Sequence, residues 1–424
     1  MRQAIINAKV ITPLRVIQRG AVVFDGGRIE RVYEGDPPDL CKSGPSGAAA
    51  PYANVYDARG LYASPGFIDT HVHGGGGYSF MDGAAGDVIG ACKAHMEHGT
   101  TTILPTSVAC PDGELIAMLG ACREAMKTMT GGPCVPGVHL EGSYFNIAQA
   151  GAQNPEYIVN PDPDWYNKIL DEYPEILRWS AAPELPGGLE LGRELRRRGV
   201  LCSIAHSDAI WEEAREAFLN GYTHATHLYS GMSMTRRISA YRHGGVVEAA
   251  YLLDGMTVEI IADGKHLPEE LLRLVVKIKG CDKVMLVTDA MSAAGLYPSG
   301  TANAGASGQL SGAAVGEGVK RAKLGSKKNS MDAIIEDDVA KTPDRLSFAG
   351  SIATADRLVR TMTRIAETPL REAVRMMTLT PAAIMGFKTK GALSEGMDAD
   401  IVLFDEDVNV KTVFVNGEIT HNAK

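Results

Sequence analysis

The sequence lacks the features that mark a partner of nucleic acids or membranes. Its 424 residues carry a formal net charge of −9 with acidic and basic residues interspersed, so there is no extended basic patch to neutralise a phosphate backbone or anionic lipids. No apolar run reaches the roughly 18 residues typical of a membrane span, and the first ten residues lack the order of a secretory signal. We therefore expect a cytoplasmic protein with a small-molecule partner, which binds neither nucleic acid nor membrane.

Cysteine is scarce and follows no functional pattern. The seven cysteines are odd in number, contain no CxxC pair and mostly lie in apolar stretches, which disfavours a disulfide framework and a thiolate metal site. We assign them to core packing in a reducing compartment. The chain does contain 45% hydrophobic residues, over a length that can form a large core and a small accessory domain.

Short alternating strands broken by turn residues occur at both ends of the chain. Residues 1–60 contain apolar segments interrupted by Asp25, Gly26 and Gly27. Residues 391–424 show the same pattern of short strands and turns, with apolar runs separated by acidic turn residues. We predict that the two ends pair into one small β-sandwich domain.

Residues 61–390 alternate short apolar strands with amphipathic helical segments, for example at 212–220 and 268–279. This is the pattern of βα units around a parallel sheet. The candidate strands cover residues 67–70, 101–104, 135–140, 177–181, 201–205, 223–226, 258–261 and 284–288. Eight such strands predict an α/β fold with a closed (β/α)8 TIM-like barrel.

One segment breaks this alternation. Residues 299–322 are rich in Gly, Ala and Ser and low in bulky apolar residues, which predicts a flexible insertion. Two interpretations stay open for it. It is either a solvent loop or a lid, since it follows the last strand on the side where barrel enzymes keep their sites.

Polar residues recur where the predicted strands end. Six strands deliver a histidine or a carboxylate to the same rim, namely His71, His73, Glu141, His206, His227, His266 and Asp289. The carboxyl ends of barrel strands form the face that carries catalysis. Each histidine taken alone is more often structural, but their recurrence at successive strand ends favours a functional cluster.

Histidine and carboxylate suit Zn²⁺ or Fe²⁺ in a catalytic site that leaves positions open for water. His71 and His73 are two residues apart, and alternate residues of a strand point to one side, so the pair can hold one ion. We therefore expect one or two divalent ions, zinc or iron, per chain. His139 is a candidate for support behind the ligands. Four further histidines, which we assign to structure or solvent, are His95, His98, His224 and His421.

At these residues the sequence resembles a known family. Residues 65–74 (PGFIDTHVHG) are similar to the opening motif of the amidohydrolase superfamily, and the motifs that follow resemble its N-acetylglucosamine-6-phosphate deacetylases. Those motifs are 137–142 (GVHLEG), 205–209 (AHSDA), 225–229 (ATHLY), 261–266 (IADGKH), 287–290 (VTDA), 348–351 (FAGS), 380–382 (TPA) and 396–400 (GMDAD). The resemblance spans nearly the whole chain.

The resemblance implies hydrolysis of the acetamide of N-acetylglucosamine 6-phosphate, which gives glucosamine 6-phosphate and acetate in amino-sugar catabolism. The ligands it implies for the main metal ion are Glu141, His206 and His227. His71 and His73 suggest a second ion, bridged through Glu141. Asp289 would be the catalytic acid and base, and His266 would contact the substrate in the reaction. The resemblance also suggests a homodimer.

The sequence departs from this family at the substrate side. Where the family usually has Asn-Ala in contact with the substrate, this chain has Ser230 and Gly231, which we keep as candidate substrate-binding residues. The arginine that binds the phosphate is best matched by Arg242, with Arg236 and Arg237 as competitors. These departures weaken the sugar-phosphate assignment more than they weaken hydrolysis.

Other hydrolases and a non-catalytic protein are the alternatives. Many cyclic-amide hydrolases bridge their metals with a carboxylated lysine from the fourth strand, and residues 177–184 contain no lysine. This leaves deacetylation of a different N-acetylated sugar or amine as the second candidate, with N-acyl-amino-acid deacylation in the same class. A binding protein that had lost its chemistry should have lost ligands or the acid and base, and this chain keeps them all.

Overall fold

In a computed structural model, residues 1–40, 52–296 and 320–423 are described. The eight predicted strands are all present there, with ends that differ from the predicted ones by no more than three residues. In chain order, central strands 1 to 8 are Phe67–Val72, Thr100–Pro105, Val138–Glu141, Ile176–Ala181, Leu201–Ile204, Tyr222–Ala225, Thr257–Ile260 and Val284–Leu286.

The central strands are all parallel and follow their chain order. Strands 3 to 8 form one sheet, and strands 1 and 2 form a separate pair. Isolated parallel bridges cross the two gaps, from Thr106 to His139 and from Val72 to Ala290. The carboxyl ends of the strands therefore face the same side, and the fold is α/β with parallel ladders.

Helices alternate with these strands, as βα units require. The α-helices are Ala85–Met96, Asp112–Thr128, Pro163–Glu172, Gly188–Arg198, Trp211–Leu219, Val246–Leu252, Glu269–Lys279, Ala355–Arg364, Leu370–Met377 and Leu379–Met385. Short 3-10 helices span Phe80–Asp82, Ile147–Gln149 and Pro155–Tyr157. The two helices predicted from the sequence begin and end within one residue of the observed bounds. Within the described ranges, no helix combines the length and hydropathy needed to cross a bilayer.

Helix Glu269–Lys279 shows why the sequence folds locally in this way. It starts directly after Pro268, which cannot continue a preceding helix, and Leu272 and Val275 lie on the one face that is buried. Gly280 ends it with a φ of 75°, which a glycine adopts without a steric penalty. The apolar spacing thus fixes which face packs on the central strands.

Both ends of the chain form a second sheet. It contains Gln3–Ile11, Val16–Asp25, Arg28–Glu34, Asn54–Asp57, Tyr62–Pro65, Ile401–Phe404, Val410–Val415 and Glu418–Asn422. Phe24 and Phe414 lie on strands separated by three others, yet their rings are 5.8 Å apart, so the sheet folds over itself. A small β unit built from both ends was predicted. Its hydrogen bonds form one continuous sheet instead of the two separate sheets of a sandwich, because Ile401–Phe404 pairs directly with Tyr62–Pro65.

A three-stranded antiparallel sheet, here called the flap, follows central strand 8 and contains Lys320–Gly325, Ser330–Glu336 and Val339–Lys341. Residues 297–319, with most of the predicted insertion, lie outside the described residues. Residues 320–322, the last three of the predicted flexible insertion, pair with Ile335, Ile334 and Ala333 of the neighbouring strand. Two small hairpins complete the strands, Gly74–Gly75 with Tyr78–Ser79 and Arg236–Ile238 with Tyr241–His243.

Candidate metal and catalytic site

The predicted cluster assembles at the carboxyl ends of the central strands. His71 is the last but one residue of strand 1 and Glu141 ends strand 3, and the other members lie one to six residues beyond strands 1, 5, 6, 7 and 8. His206, His227 and Asp289 have φ values of 45°, 29° and 47°. Left-handed backbone is unfavourable for such residues and persists where the surroundings impose it. These turns therefore mark three strand ends where the fold dictates the direction of a side chain.

Glu141 lies at the centre of four imidazoles. Its Oε1 is 3.0 Å from Nε2 of His227, 3.3 Å from Nε2 of His206 and 3.5 Å from Nε2 of His71. Its Oε2 is 3.4 Å from Nε2 of His73. The ligand atoms of His71, His73 and Glu141 form one compact group, and those of Glu141, His206 and His227 form another. One carboxylate is thus shared by two candidate ion sites.

The outward-facing ring nitrogens define which atoms remain for a metal. Nδ1 of His206 donates to the carbonyl of Gln149 at 2.8 Å, and Nδ1 of His73 donates to the carbonyl of Thr106 at 3.3 Å. Since a carbonyl only accepts, each ring keeps a lone pair on Nε2, the atom that faces Glu141. The same is true of His71, whose Nδ1 donates to a carboxylate.

The residues fit a divalent cation. Nε2 of His71 is buried and has no hydrogen-bond partner among the described residues, although Glu141 and Asp289 oxygens each lie 3.5 Å away. Two buried carboxylates and several imidazole lone pairs converge there, and this nitrogen and oxygen set suits zinc, iron or manganese. Buried charges of this kind require pairing or metal coordination.

Asp289 lies beside this cluster, with Oδ1 3.0 Å from Nε2 of His73. Burial opposes its ionisation, but the neighbouring imidazoles of His71 and His73 lower the pKa of the carboxyl below its ordinary value. For Glu141, burial is likewise outweighed by the electrostatic effect of the surrounding imidazoles, that of His71 above all, so the pKa of its carboxyl is well below the usual range. Both carboxylates are ionised at neutral pH, and Asp289 is therefore able to accept a proton.

His266 completes the rim. Its Nδ1 contacts Oδ2 of Asp263 at 2.9 Å, and its ring lies 4.4 Å from that of Phe348. Burial lowers the pKa of His266, yet the charge of Asp263 and the hydrogen bond to it leave the pKa above the ordinary value. This pairing fixes the ring and leaves Nε2 as the nitrogen for a ligand.

A cavity of about 440 Å³ opens onto the cluster. Ser230 and Gly231 line it together with His266, so the structure brings these predicted substrate residues beside the candidate metal ligands. Arg242 does not line it. This arginine is on the exposed hairpin and borders a separate surface cavity with Trp211.

The two competing arginines also lie away from the cavity in this chain. Arg236 pairs with Asp208 at 2.5 Å, and Arg237 is exposed on the same hairpin. His139 contacts His71, with ring centroids 4.7 Å apart, and its Nε2 lies 2.7 Å from Oγ of Ser180. The histidines assigned to structure or solvent, which lie outside both candidate ion groups, are His95, His98, His224 and His421.

Sequence reasoning missed several residues of this site. Gln153 donates to Oε2 of Glu141 at 2.8 Å from a loop without periodicity. Lys341, which ends the flap, and Arg345, four residues beyond it, line the cavity and pair with Glu336. Only the position of the flap after central strand 8 could have indicated them, because their side chains match no motif.

Comparisons of this chain with known families, sequences and solved structures agree with this geometry. The model of the Amidohydrolase family matches residues 62–420. The N-acetylglucosamine-6-phosphate deacetylase of Lysinibacillus sphaericus is 32% identical over 86% of each chain, and the N-acetylgalactosamine-6-phosphate deacetylase of Escherichia coli O157:H7 is 31% identical over 84% of this chain and 86% of its own. The crystal structure of N-acetylglucosamine-6-phosphate deacetylase from Pasteurella multocida superposes with a TM-score of 0.83 at 27% identity, over 100% of both chains.

Removing the two histidines of central strand 1 tests the two-ion arrangement. In the double variant His71→Asn/His73→Asn, elemental analysis of zinc-loaded protein should show one ion fewer per chain, because one candidate group loses two of its three ligands. The control His421→Asn, in the terminal sheet, should keep the wild-type content. Equal metal content in all three proteins would mean that the pair is structural.

Proposed function

The chain belongs to the amidohydrolase family, and from that membership we propose that it hydrolyses the acetamide of N-acetylglucosamine 6-phosphate to glucosamine 6-phosphate and acetate, in amino-sugar catabolism. The observation that carries the proposal is the convergence of Glu141 with four imidazoles beside an ionised Asp289, at one end of a cavity. Relatives of similar length with this activity in their names support the choice of substrate.

The finer architecture is part of the proposal. We infer that the two parallel ladders form one closed (β/α)8 barrel at residues 61–390, and that residues 1–60 and 391–424 form the small β domain. The parallel bridges at Thr106 and Val72 support closure, as does the likeness to the Pasteurella multocida structure. The homodimer and the cytoplasmic location stay predictions.

We assign Glu141, His206 and His227 to one ion, and His71 and His73, with Glu141 as the bridge, to a second. Zinc or iron is the proposed metal. A divalent cation held there supplies Lewis acidity and lowers the pKa of water from 15.7 to about 7. The chain has to orient that water, hold the acetamide against it and move one proton.

Asp289 is the proposed acid and base. Its carboxylate, held beside His73, accepts the proton of the attacking water and then donates it to the amine nitrogen as the C–N bond breaks. Without that proton the amine would depart as a poor anionic leaving group. His266, fixed by Asp263, is placed to hydrogen-bond the acetamide oxygen through Nε2 as negative charge grows on it.

A panel of N-acetylated sugars tests the substrate. We expect the largest kcat/KM, measured by release of free amine, for N-acetylglucosamine 6-phosphate over its 4-epimer and over both sugars without phosphate. Preference for the galactosamine epimer would change the sugar but keep the deacetylation, an outcome that the Escherichia coli relative makes worth testing. No amine release from any member, with zinc or iron supplied, would overturn the proposal.

Removal of the carboxylate at position 289 should separate chemistry from metal binding. Asp289→Asn should lower kcat by about 10²–10⁴-fold, the range of a lost acid and base, while elemental analysis finds the metal content nearly intact. The control Asp254→Asn alters an exposed aspartate far from the rim and should leave both quantities unchanged. Near-normal turnover in Asp289→Asn would reject this role.

Phosphate recognition can be located by comparing two arginines. We retain Arg242 as the proposed contact, so Arg242→Ala should raise KM for the phosphorylated sugar much more than for the unphosphorylated one. Arg345→Ala serves as the matched comparison, since Arg345 lines the cavity from the segment that follows the flap. A selective rise in KM from Arg345→Ala, with none from Arg242→Ala, would move the phosphate site to that segment.

A further inference from the structure

A fully buried ion pair lies beneath the metal cluster. Glu259 on central strand 7 and Arg178 on central strand 4 have no exposed surface, and the guanidinium contacts Oε2 of Glu259 at 2.5 Å. Removing two charges from water costs on the order of several kcal/mol per ion. A buried ion pair is therefore weak evidence, by itself, that the fold is stabilised. Its contacts on the other side show a more specific use.

The second oxygen of Glu259 touches two residues of the candidate metal site. Oε1 accepts the Nδ1 proton of His71 at 2.7 Å and the backbone N–H of His227 at 3.0 Å. An ionised carboxylate only accepts, so His71 carries a proton on Nδ1, and in the neutral imidazole that a metal ion would bind the lone pair is on Nε2. That nitrogen is the buried, unpartnered atom that faces Glu141 and Asp289.

Among His71, His73 and His206, the candidate metal ligands whose Nδ1 partners are described above, the acceptor of His71 differs in kind. The Nδ1 atoms of His73 and His206 donate to neutral carbonyls of Thr106 and Gln149, whereas His71 donates to a charge. A charged acceptor forms the shorter and stronger hydrogen bond and makes the imidazole a better donor of its lone pair. His71 is therefore the one of these three rings whose Nδ1 proton is held by a charged group.

Arg178 fixes that acceptor in turn. Its other nitrogens donate to Oγ of Ser203 at 3.3 Å and to Oγ1 of Thr226 at 3.1 Å, so the guanidinium spans strands 4, 5 and 6. Arginine keeps its proton in proteins, and its planar fork defines one position for the carboxylate it meets. Neither oxygen of Glu259 is then free to turn away from the strand ends.

We propose that Glu259, clamped by Arg178, is a positioning residue that presents Nε2 of His71 to the second metal ion and ties the His227 strand end to the same carboxylate. The inference rests on the proposed metal site. It does not depend on the identity of the sugar, since Glu259 and Arg178 do not line the cavity.

Glu259→Gln tests it at nearly constant shape. Both carboxylate oxygens accept hydrogen bonds, while glutamine has one acceptor, so its NH2 group must face either Arg178 or the donors of His71 and His227. We expect affinity for the zinc ion that is lost in His71→Asn/His73→Asn to fall about 10–100-fold, measured by chelator competition with Zn²⁺ alone. Unchanged zinc affinity in folded Glu259→Gln would overturn the proposal.

A matched control distinguishes the loss of a positioning residue from the general effect of disrupting a buried ion pair. Asp400 is buried and pairs with Lys390 at 2.7 Å, away from the cluster. Asp400→Asn should lower the thermal midpoint yet leave zinc affinity at its wild-type value. A comparable loss of zinc affinity in this control would mean that any disrupted buried pair has the same effect, which would also overturn the proposal.

A second variant covers the case in which Glu259→Gln does not fold. The double variant Arg178→Met/Glu259→Gln leaves no unpaired buried charge and lets the glutamine turn its amide oxygen toward His71. Its zinc affinity should be below that of the wild type and, if Glu259→Gln folds, above that of this single variant. Wild-type affinity in the double variant would contradict the need for a charged acceptor. Zinc binding is read without substrate, so wild-type protein that binds two ions and releases no amine would overturn the proposed function alone.

Discussion

The site depends on the placement of one buried carboxylate among four imidazoles. Glu141 has almost no exposed surface, and water cannot solvate its charge. Such a group is stable only with cationic or hydrogen-bonding neighbours on all sides, and Gln153 supplies just one donor. The remaining directions are taken by Nε2 atoms that carry lone pairs. A cation between these atoms and the carboxylate would resolve the conflict, which is why the cluster fits a metal site better than a hydrogen-bond network.

The parallel strands make this concentration of groups possible. Residues far apart in sequence end neighbouring strands, and the strained turns at His206, His227 and Asp289 are imposed by the sheet that precedes them. The buried Glu259 and Arg178 then connect strands 4 to 7 behind the ligands and link them to His71 on strand 1. The polar interior is therefore one hydrogen-bonded network from the cluster into the core.

Much of this could be predicted from sequence, because the strand ends carry a regular signal. The spacing of His71 and His73 and the single polar residue after each apolar run locate the ligands without a structure. Glu259 could not be found this way, since a lone charge within an apolar strand does not reveal its partner 81 residues away. The flap was missed for a different reason: its buried isoleucines at 334 and 335 are too few to show a period, and pairing with them decides the fold of residues 320–322.

The candidate groups for chemistry and for substrate specificity lie on different parts of the chain. The ligands and Asp289 are on strand ends held by the sheet, whereas Ser230, Gly231 and the flap border the cavity on connecting segments. Substitutions in such segments alter which sugar fits without moving the atoms that activate water. Relatives named for two epimeric substrates are about equally similar to this chain, as expected if one conserved reaction centre serves different sugar-binding loops. The replacement of Asn-Ala by Ser230 and Gly231 therefore bears on the sugar, while the hydrolytic assignment depends on the cluster alone.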